Sequence, residues 1–195
     1  MKYQQIREIL KTKTIGIAGA GGLGSNCAIA LSRIGIGKLV ICDFDKVSIS
    51  NLNRQYYFSN QIGIKKVIAL RDNIKPINSE IEIEIYNIKL YPEKIVAIYK
   101  NCDLIIEAFD YAQTKQMIIE TVGTFMPKIP LIVGSGMAGF GNNNAIEEKK
   151  IENNLYVCGD GFSEISDEMP PLAPRLGIVA NMQANLAVEI LLKRK

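Results

Sequence analysis

Residues 14–25 read TIGIAGAGGLGS. A short β-branched run passes into a loop of the form G-x-G-x-x-G, from Gly19 to Gly24, and then into an apolar-periodic segment opening at Ser25. Glycines are required at such a strand-to-helix turn because a Cβ would block both the tight turn and the approach of the backbone to a phosphate. That phosphate would then rest on the helix N-terminus. A glycine turn that merely packs helix against strand uses the same residues, so the loop alone does not establish nucleotide binding.

Outward from this loop, short β-branched runs alternate with longer helical stretches, the pattern of parallel α/β units. Strands are predicted over 14–19, 38–43, 80–87, 103–108 and 129–134, and helices over 25–34, 61–74, 93–100 and 111–125. The run EIEIEIYN at 80–87 alternates strictly, which marks an edge or half-covered strand. Beyond Gly134 the chain turns Gly/Asn-rich, then acidic, then proline-rich, and residues 135–175 read as a β-ribbon plus a long crossing loop. An apolar stripe from Leu176 to Lys193 closes the chain as a helix. The expected fold class is α/β: a Rossmann-like, mostly parallel sheet with helices on both faces, a C-terminal ribbon and crossing loop, and a closing helix. At 195 residues the expectation is one domain over 1–195.

Composition removes several chemistries. There is no histidine, so Ser/His/Asp and Cys/His catalysis, His-ligated zinc and a histidine proton shuttle are excluded. The four cysteines, Cys27, Cys42, Cys102 and Cys158, form no C-x-x-C, so no zinc ribbon or dithiol motif can be written. A net charge of +3 with no dense basic run before the last three residues argues against nucleic acid as the main partner. The opening KYQQIREILK has no signal-like apolar core, and the stripe at 176–192 is interrupted by Asn181, Gln183, Asn185 and Glu189. A cytoplasmic protein with reduced thiols and no membrane partner is therefore expected.

The run DFDKVSISNLNRQ, residues 43–55, carries the functional reading. Asp43, at the end of the second strand, is placed to bind ribose hydroxyls. Hydride transfer has no use for the Asn, Arg and Gln that follow, whereas a triphosphate needs cations and amides. Arg54 can fork two phosphate oxygens, and Lys66 adds a second charge at the next helix. Asp110 follows the fourth strand at the carboxyl edge, where a lone carboxylate suits Mg²⁺ shared with phosphates and water. Asp45 reads equally as a support for Asp43 or as a cap of the next loop.

GAGGLGS, DFDKVSISNLNRQ, the step G63-I64-K65-K66 and EAFD ending at Asp110 together resemble the ThiF/MoeB/HesA family, bacterial relatives of ubiquitin-activating enzymes. YVCGDG and the ending APRLGIVANMQANLAVEIL resemble its compact ThiF branch, associated with thiamine biosynthesis. The resemblance implies a nucleotidyltransferase that adenylates the C-terminal Gly-Gly carboxylate of a small ubiquitin-fold sulfur carrier, using ATP and Mg²⁺, as a homodimer. It implies that Gly19, Gly21, Gly22, Leu23 and Gly24 hold the nucleotide and Asp43 the ribose. Asn51, Arg54 and Lys66 would take the phosphates and Asp110 the magnesium. Residues 135–175 would receive the carrier tail.

The chain departs from the family at three points. The zinc-binding C-x-x-C pairs of larger relatives are missing, so no zinc is expected. Gln4-Gln5-Ile6 stands where relatives place an Arg-Gln-Ile whose Arg reaches the neighbouring subunit's phosphates. Arg7, the nearest cation, reads as a solvated helix face, with an in-trans phosphate contact as the alternative. Some relatives use a cysteine nucleophile. Cys158, in the turn-like YVCGDG, is either that or a small loop residue, while Cys27, Cys42 and Cys102 read as core. Arg175 reads as neutralising the acidic run 164–168 or as touching the tail.

Three other functions stay open: an NAD(P)-dependent oxidoreductase, an ATP-dependent activator of a peptide or tRNA-base carboxylate, and a non-catalytic carrier-binding module. The first is disfavoured because no histidine and no Tyr-x-x-x-Lys pair is placed near a nicotinamide. The last is disfavoured by the presence of Arg54, Lys66 and Asp110.

Overall fold

The computed structural model describes residues 1–193. Seven strands form one sheet in the order β3-β2-β1-β4-β5-β7-β6. They are β1 (Thr14–Ala18), β2 (Lys38–Cys42), β3 (Glu82–Tyr86), β4 (Leu104–Glu107), β5 (Leu131–Gly134), β6 (Glu147–Glu152) and β7 (Leu155–Gly159). All neighbours are parallel except β6, which pairs antiparallel with β7. The helices are α1 (Tyr3–Leu10), α2 (Gly22–Arg33), α3 (Lys66–Ile74), α4 (Pro92–Tyr99), α5 (Ala112–Phe125) and α6 (Ala173–Lys193).

Side-chain alternation along the strands feeds two separate cores. Ile15, Ile17, Leu39, Ile41, Leu104, Ile106 and Ile132 face the layer of α1, α2, α3 and α6. Ala18, Val40, Cys42, Ile105, Leu131 and Val133 face α4 and α5. Strands buried on both sides explain the continuous apolar runs that predicted them. β3 stands at the edge with its residues half-covered, as its strict alternation implied.

The connections through α2 and α3 run outward from β1 on one face; α4 then brings the chain back from β3 to β4, and α5 runs outward from β4, both on the other face. The direction therefore reverses between β1 and β4, and a crevice opens there at the carboxyl edge of the sheet.

Several predicted boundaries move, and α2 starts at Gly22 rather than Ser25. The helix expected over 61–74 is a 3₁₀ turn, Ser59–Gln61, followed by α3 from Lys66. Gly63 lies between them at φ +87°, a conformation that interrupts a helix. The closing helix starts at Ala173 rather than Leu176, with Pro174 tolerated in its first turn because an N–H there would have no helical acceptor. α6 packs along α2 and beneath β4, β5 and β7.

Candidate functional site

At the β1/β4 reversal lies a cavity of about 390 Å³. Gly19, Gly21, Asp43, Asp45, Lys66 and Asp110, all singled out in the sequence, line it. Cys42, Ile88, Leu90, Ala108, Phe109 and Met117 supply an apolar wall.

The glycines have separate tasks. Gly19 turns the chain at φ +102°, with the Ala108 carbonyl oxygen 2.6 Å from where a Cβ would stand. At Gly24 a Cβ would lie 1.9 Å from the Gly19 carbonyl oxygen, so only glycine lets α2 close onto β1. Gly21 caps α2 with bare backbone at the cavity wall. The first amides of α2 lack helical acceptors, and the helix dipole adds partial positive charge, so this end favours an anion. Gly22, Leu23 and Gly24 do not line the cavity. Leu23 turns its side chain toward Gly134 instead, as a buried helix residue facing the core does.

Asp43 accepts hydrogen bonds from the backbone N–H of Ala20 and of Asp45, each 2.7 Å. Burial raises its pKa, and the Lys66 charge and these two bonds oppose the rise. Lys66, the first residue of α3 and only 4% exposed, places its ammonium 2.9 Å from the Asp45 carboxylate. The alternatives for Asp45 resolve here: its N–H supports Asp43, while its side chain holds Lys66. Asp110 is exposed at the lip and has no hydrogen bond or ion pair among the described residues. Such a carboxylate fits a cation that takes its other ligands from phosphate and water. No group of three or more acidic, Cys or His side chains able to hold a metal unaided occurs among the described residues.

Asn51 and Arg54 do not line this cavity. Asn51 accepts from the Ser48 N–H, capping a 3₁₀ turn. The Arg54 guanidinium folds back onto the Ser50 carbonyl, 3.0 Å, and the Asn53 side chain, 2.9 Å. That turn offers local oxygens, which sequence spacing could not reveal.

Glu107 went unnoticed in the sequence. It is fully buried at the end of β4, and Lys115 in the first turn of α5 donates to both its carboxylate oxygens and to the Gly134 carbonyl, each 2.9 Å. Burial pushes the Glu107 pKa up against the pull of Lys115. The pair ties β4, α5 and β5 together and fixes the turn that carries Asp110. The available signal was a carboxylate inside an apolar strand followed by Lys at the next helix start.

Contrary to the expectation that no Tyr-x-x-x-Lys pair lies near the crevice, Tyr111 at its lip and Lys115 stand in that spacing. Tyr111 lies at the lip and is 73% exposed, but Lys115 is committed to Glu107 and Gly134, so the two do not form a linked acid–base pair.

Cys158 is corrected. It is the fourth residue of β7, wholly buried, and burial followed by the Glu148 charge pushes its thiol up to about 12. The strand continues one residue past the position where YVCGDG suggested a turn. Cys27, Cys42 and Cys102 are buried as expected. Cys42 does touch the cavity, where burial raises its pKa to about 12 and its thiol donates to the Ile88 carbonyl. Arg7 lies against Gly35, in the turn between α2 and β2 at the opposite edge of the sheet.

A glycine loop at a helix N-terminus, an acid after β2 and a held lysine at the β1/β4 reversal define an α/β nucleotide-type crevice. The chain belongs to the ThiF family, whose model matches residues 3–195. It is 36% identical over 190 residues to "Adenylyltransferase and sulfurtransferase MOCS3" of Caenorhabditis briggsae, covering 94% of this chain and 47% of that one. It is 30% identical over 189 residues to "Molybdopterin-synthase adenylyltransferase" of Escherichia coli K12, covering 95% and 75% respectively. The chain spans half or less of the length of several curated relatives that it matches. The E. coli tRNA N6-threonylcarbamoyladenosine dehydratase solved in complex with ATP has the same fold. Its TM-score is 0.88 at 18% identity, with 97% of this chain and 89% of that chain covered.

Proposed function

We propose that this chain uses ATP to adenylate the C-terminal Gly-Gly carboxylate of a small ubiquitin-fold sulfur carrier and releases pyrophosphate. The observation that carries the proposal is the buried Lys66 ammonium, held by Asp45, in one cavity with Asp43, the glycine loop and the unpartnered Asp110. Similarity to two proteins named adenylyltransferases supports it.

In this reaction a carboxylate oxygen of the carrier attacks the α-phosphorus, and the bridging oxygen leaves with pyrophosphate. The nucleophile is already ionised, so no general base is needed, consistent with a histidine-free chain. Bringing two anions together is the barrier, and fixed positive groups are the remedy. Lys66 and the α2 N-terminus supply them, Asp43 binds the ribose, and the apolar wall at Ile88 and Leu90 accepts the base. Arg54 reaches the phosphates by leaving its local oxygen partners, and Asn51 by releasing the Ser48 N–H. A magnesium ion on Asp110 would neutralise phosphate oxygens. Residues 135–175 receive the carrier tail, and the active species is a cytoplasmic homodimer. The resemblance of YVCGDG and APRLGIVANMQANLAVEIL favours a ThiS-like carrier of thiazole synthesis.

The test is ATP–pyrophosphate exchange against purified Gly-Gly carriers, with thermal shift alongside. MgATP raises Tm, by mass action on the folded state, and NAD and NADP do not. A shift with NADH and none with ATP overturns the proposal. Exchange driven by a carboxylate-bearing tRNA and by no carrier reassigns the substrate.

A further inference from the structure

The loop that follows the 3₁₀ turn Ile49–Asn51 is stitched to two helices. On α2, the Ser25 hydroxyl accepts from the Tyr56 N–H, 3.0 Å, and the Asn26 side chain donates to the Arg54 carbonyl, 3.0 Å. From α3, the Asn73 side chain donates to the Tyr56 carbonyl, 2.9 Å. Residues 54–57 are thus fixed against the start of α2.

Tyr57 turns inward from this fixed loop. It is 5% exposed, within the core on the α2 side of the sheet, and its hydroxyl donates to the Ala20 carbonyl at 2.7 Å. The Lys66 carbonyl stands 3.5 Å from the same hydroxyl oxygen, but a hydroxyl has one proton and the shorter bond takes it. Burial, and after it the Asp43 and Asp45 charges, push the Tyr57 pKa up, so the hydroxyl remains a donor throughout the neutral range.

That bond orients a peptide. In a planar trans peptide the C=O and N–H point in opposite directions, so an Ala20 carbonyl held toward Tyr57 turns the Gly21 N–H the other way. Gly21 lines the cavity and Tyr57 does not, and the Gly21 N–H has no hydrogen-bond partner among the described residues. It is a free donor at the cavity wall. The preceding peptide is held separately, by the Ala20 N–H on Asp43, and no donor other than Tyr57 reaches the Ala20 carbonyl among the described residues. A peptide before glycine flips at small steric cost, because glycine accepts both signs of φ. Flipped, it would aim the Ala20 oxygen into the cavity and repel an anion there.

We propose that Tyr57 is a positioning residue for the nucleotide phosphates: its hydroxyl holds the Ala20–Gly21 peptide with the N–H facing the cavity and bars the flipped form. This role rests on the nucleotide reading above, and it puts the aim of the glycine loop on a side chain that never touches the substrate.

The experiment compares the parent chain with Tyr57→Phe, which removes one oxygen and keeps the ring. Isothermal titration reads the binding of MgATP, AMP and adenosine, with adenosine taken to millimolar concentration, and 15N-glycine labelling reads the Gly21 amide resonance. In Tyr57→Phe the Kd for MgATP and for AMP should rise about tenfold or more, the usual worth of a hydrogen bond to a charged acceptor. Adenosine, which has no phosphate, should bind within about twofold of the parent. The displacement of the Gly21 resonance by MgATP should shrink in the variant, and Tm without ligand should fall by a few degrees at most.

Equal affinity of parent and variant for MgATP overturns the assignment. So does an equal loss for MgATP and adenosine, which would make Tyr57 a packing residue of the whole pocket. A parent that binds no MgATP removes the nucleotide reading and the role of Tyr57 with it. MgATP binding without exchange on any carrier removes adenylation alone and leaves the aimed peptide standing.

Discussion

Lys66 is the residue on which the proposed chemistry turns. In Lys66→Ala the half-exposed Asp45 returns to water, and Asp43 keeps its bonds from the Ala20 and Asp45 N–H groups, so neither carboxylate is left without a partner. The cost of the substitution should therefore appear in rate rather than in folding. Pyrophosphate exchange should fall by on the order of 10² to 10³, as for loss of one preorganised transition-state charge. An unaltered melting curve would confirm that only the reaction suffers. Gly24→Ala should behave in the opposite sense. Its Cβ would meet the Gly19 carbonyl oxygen at 1.9 Å, a backbone atom that cannot step aside. Overpacking of about 1–3 kcal/mol, at roughly 2–4 °C per kcal/mol for a domain of this size, should lower Tm by several degrees in differential scanning calorimetry. These residues were legible in the sequence because backbone geometry dictates them. Leu23 and Arg54 were not, since where a side chain turns depends on oxygens and packing partners that spacing does not encode.

At the scale of elements, strands buried on both faces announced themselves through unbroken apolar runs, and edge strand β3 through its alternation. The crossing loop was recognised as a loop, but its internal brace was hidden. Arg175 neither neutralises residues 164–168 nor projects outward, because α6 begins three residues early and carries it into the interior beside Asp160. Burial would raise the Asp160 pKa, but hydrogen bonds from Ser163, Phe162 and Arg175 together hold it at about 2. A depressed carboxylate pKa contributes stability above the ordinary Asp value near 3.9, and that contribution is lost as pH falls through about 2. Asp160→Asn should thus flatten the stability profile between about pH 4 and pH 2 in urea melts. Arg175→Ala should be costlier, about 3–5 kcal/mol at neutral pH, because it strands a buried carboxylate.

For the whole molecule, the question is what becomes of the activated carboxylate once it has formed. An acyl-adenylate is consumed by a nucleophile. The chain has no histidine to activate one, and its four cysteines are all buried. Cys158, which the sequence offered as the exposed candidate, lies within β7 with its thiol pushed to about 12, so the thiolate that attack requires is negligible at neutral pH. On the proposed reading none of these four thiols is placed to be that nucleophile. Cys158→Ser should leave pyrophosphate exchange and carrier adenylation within about twofold of the parent, at a cost of about 1–3 kcal/mol in stability for a hydroxyl in an apolar site. Thiocarboxylate formation with a separate persulfide donor should survive equally well. Normal exchange with thiocarboxylate abolished, and a reducible conjugate between chain and carrier in the parent alone, would mean that β7 opens during turnover and that Cys158 takes the acyl group itself.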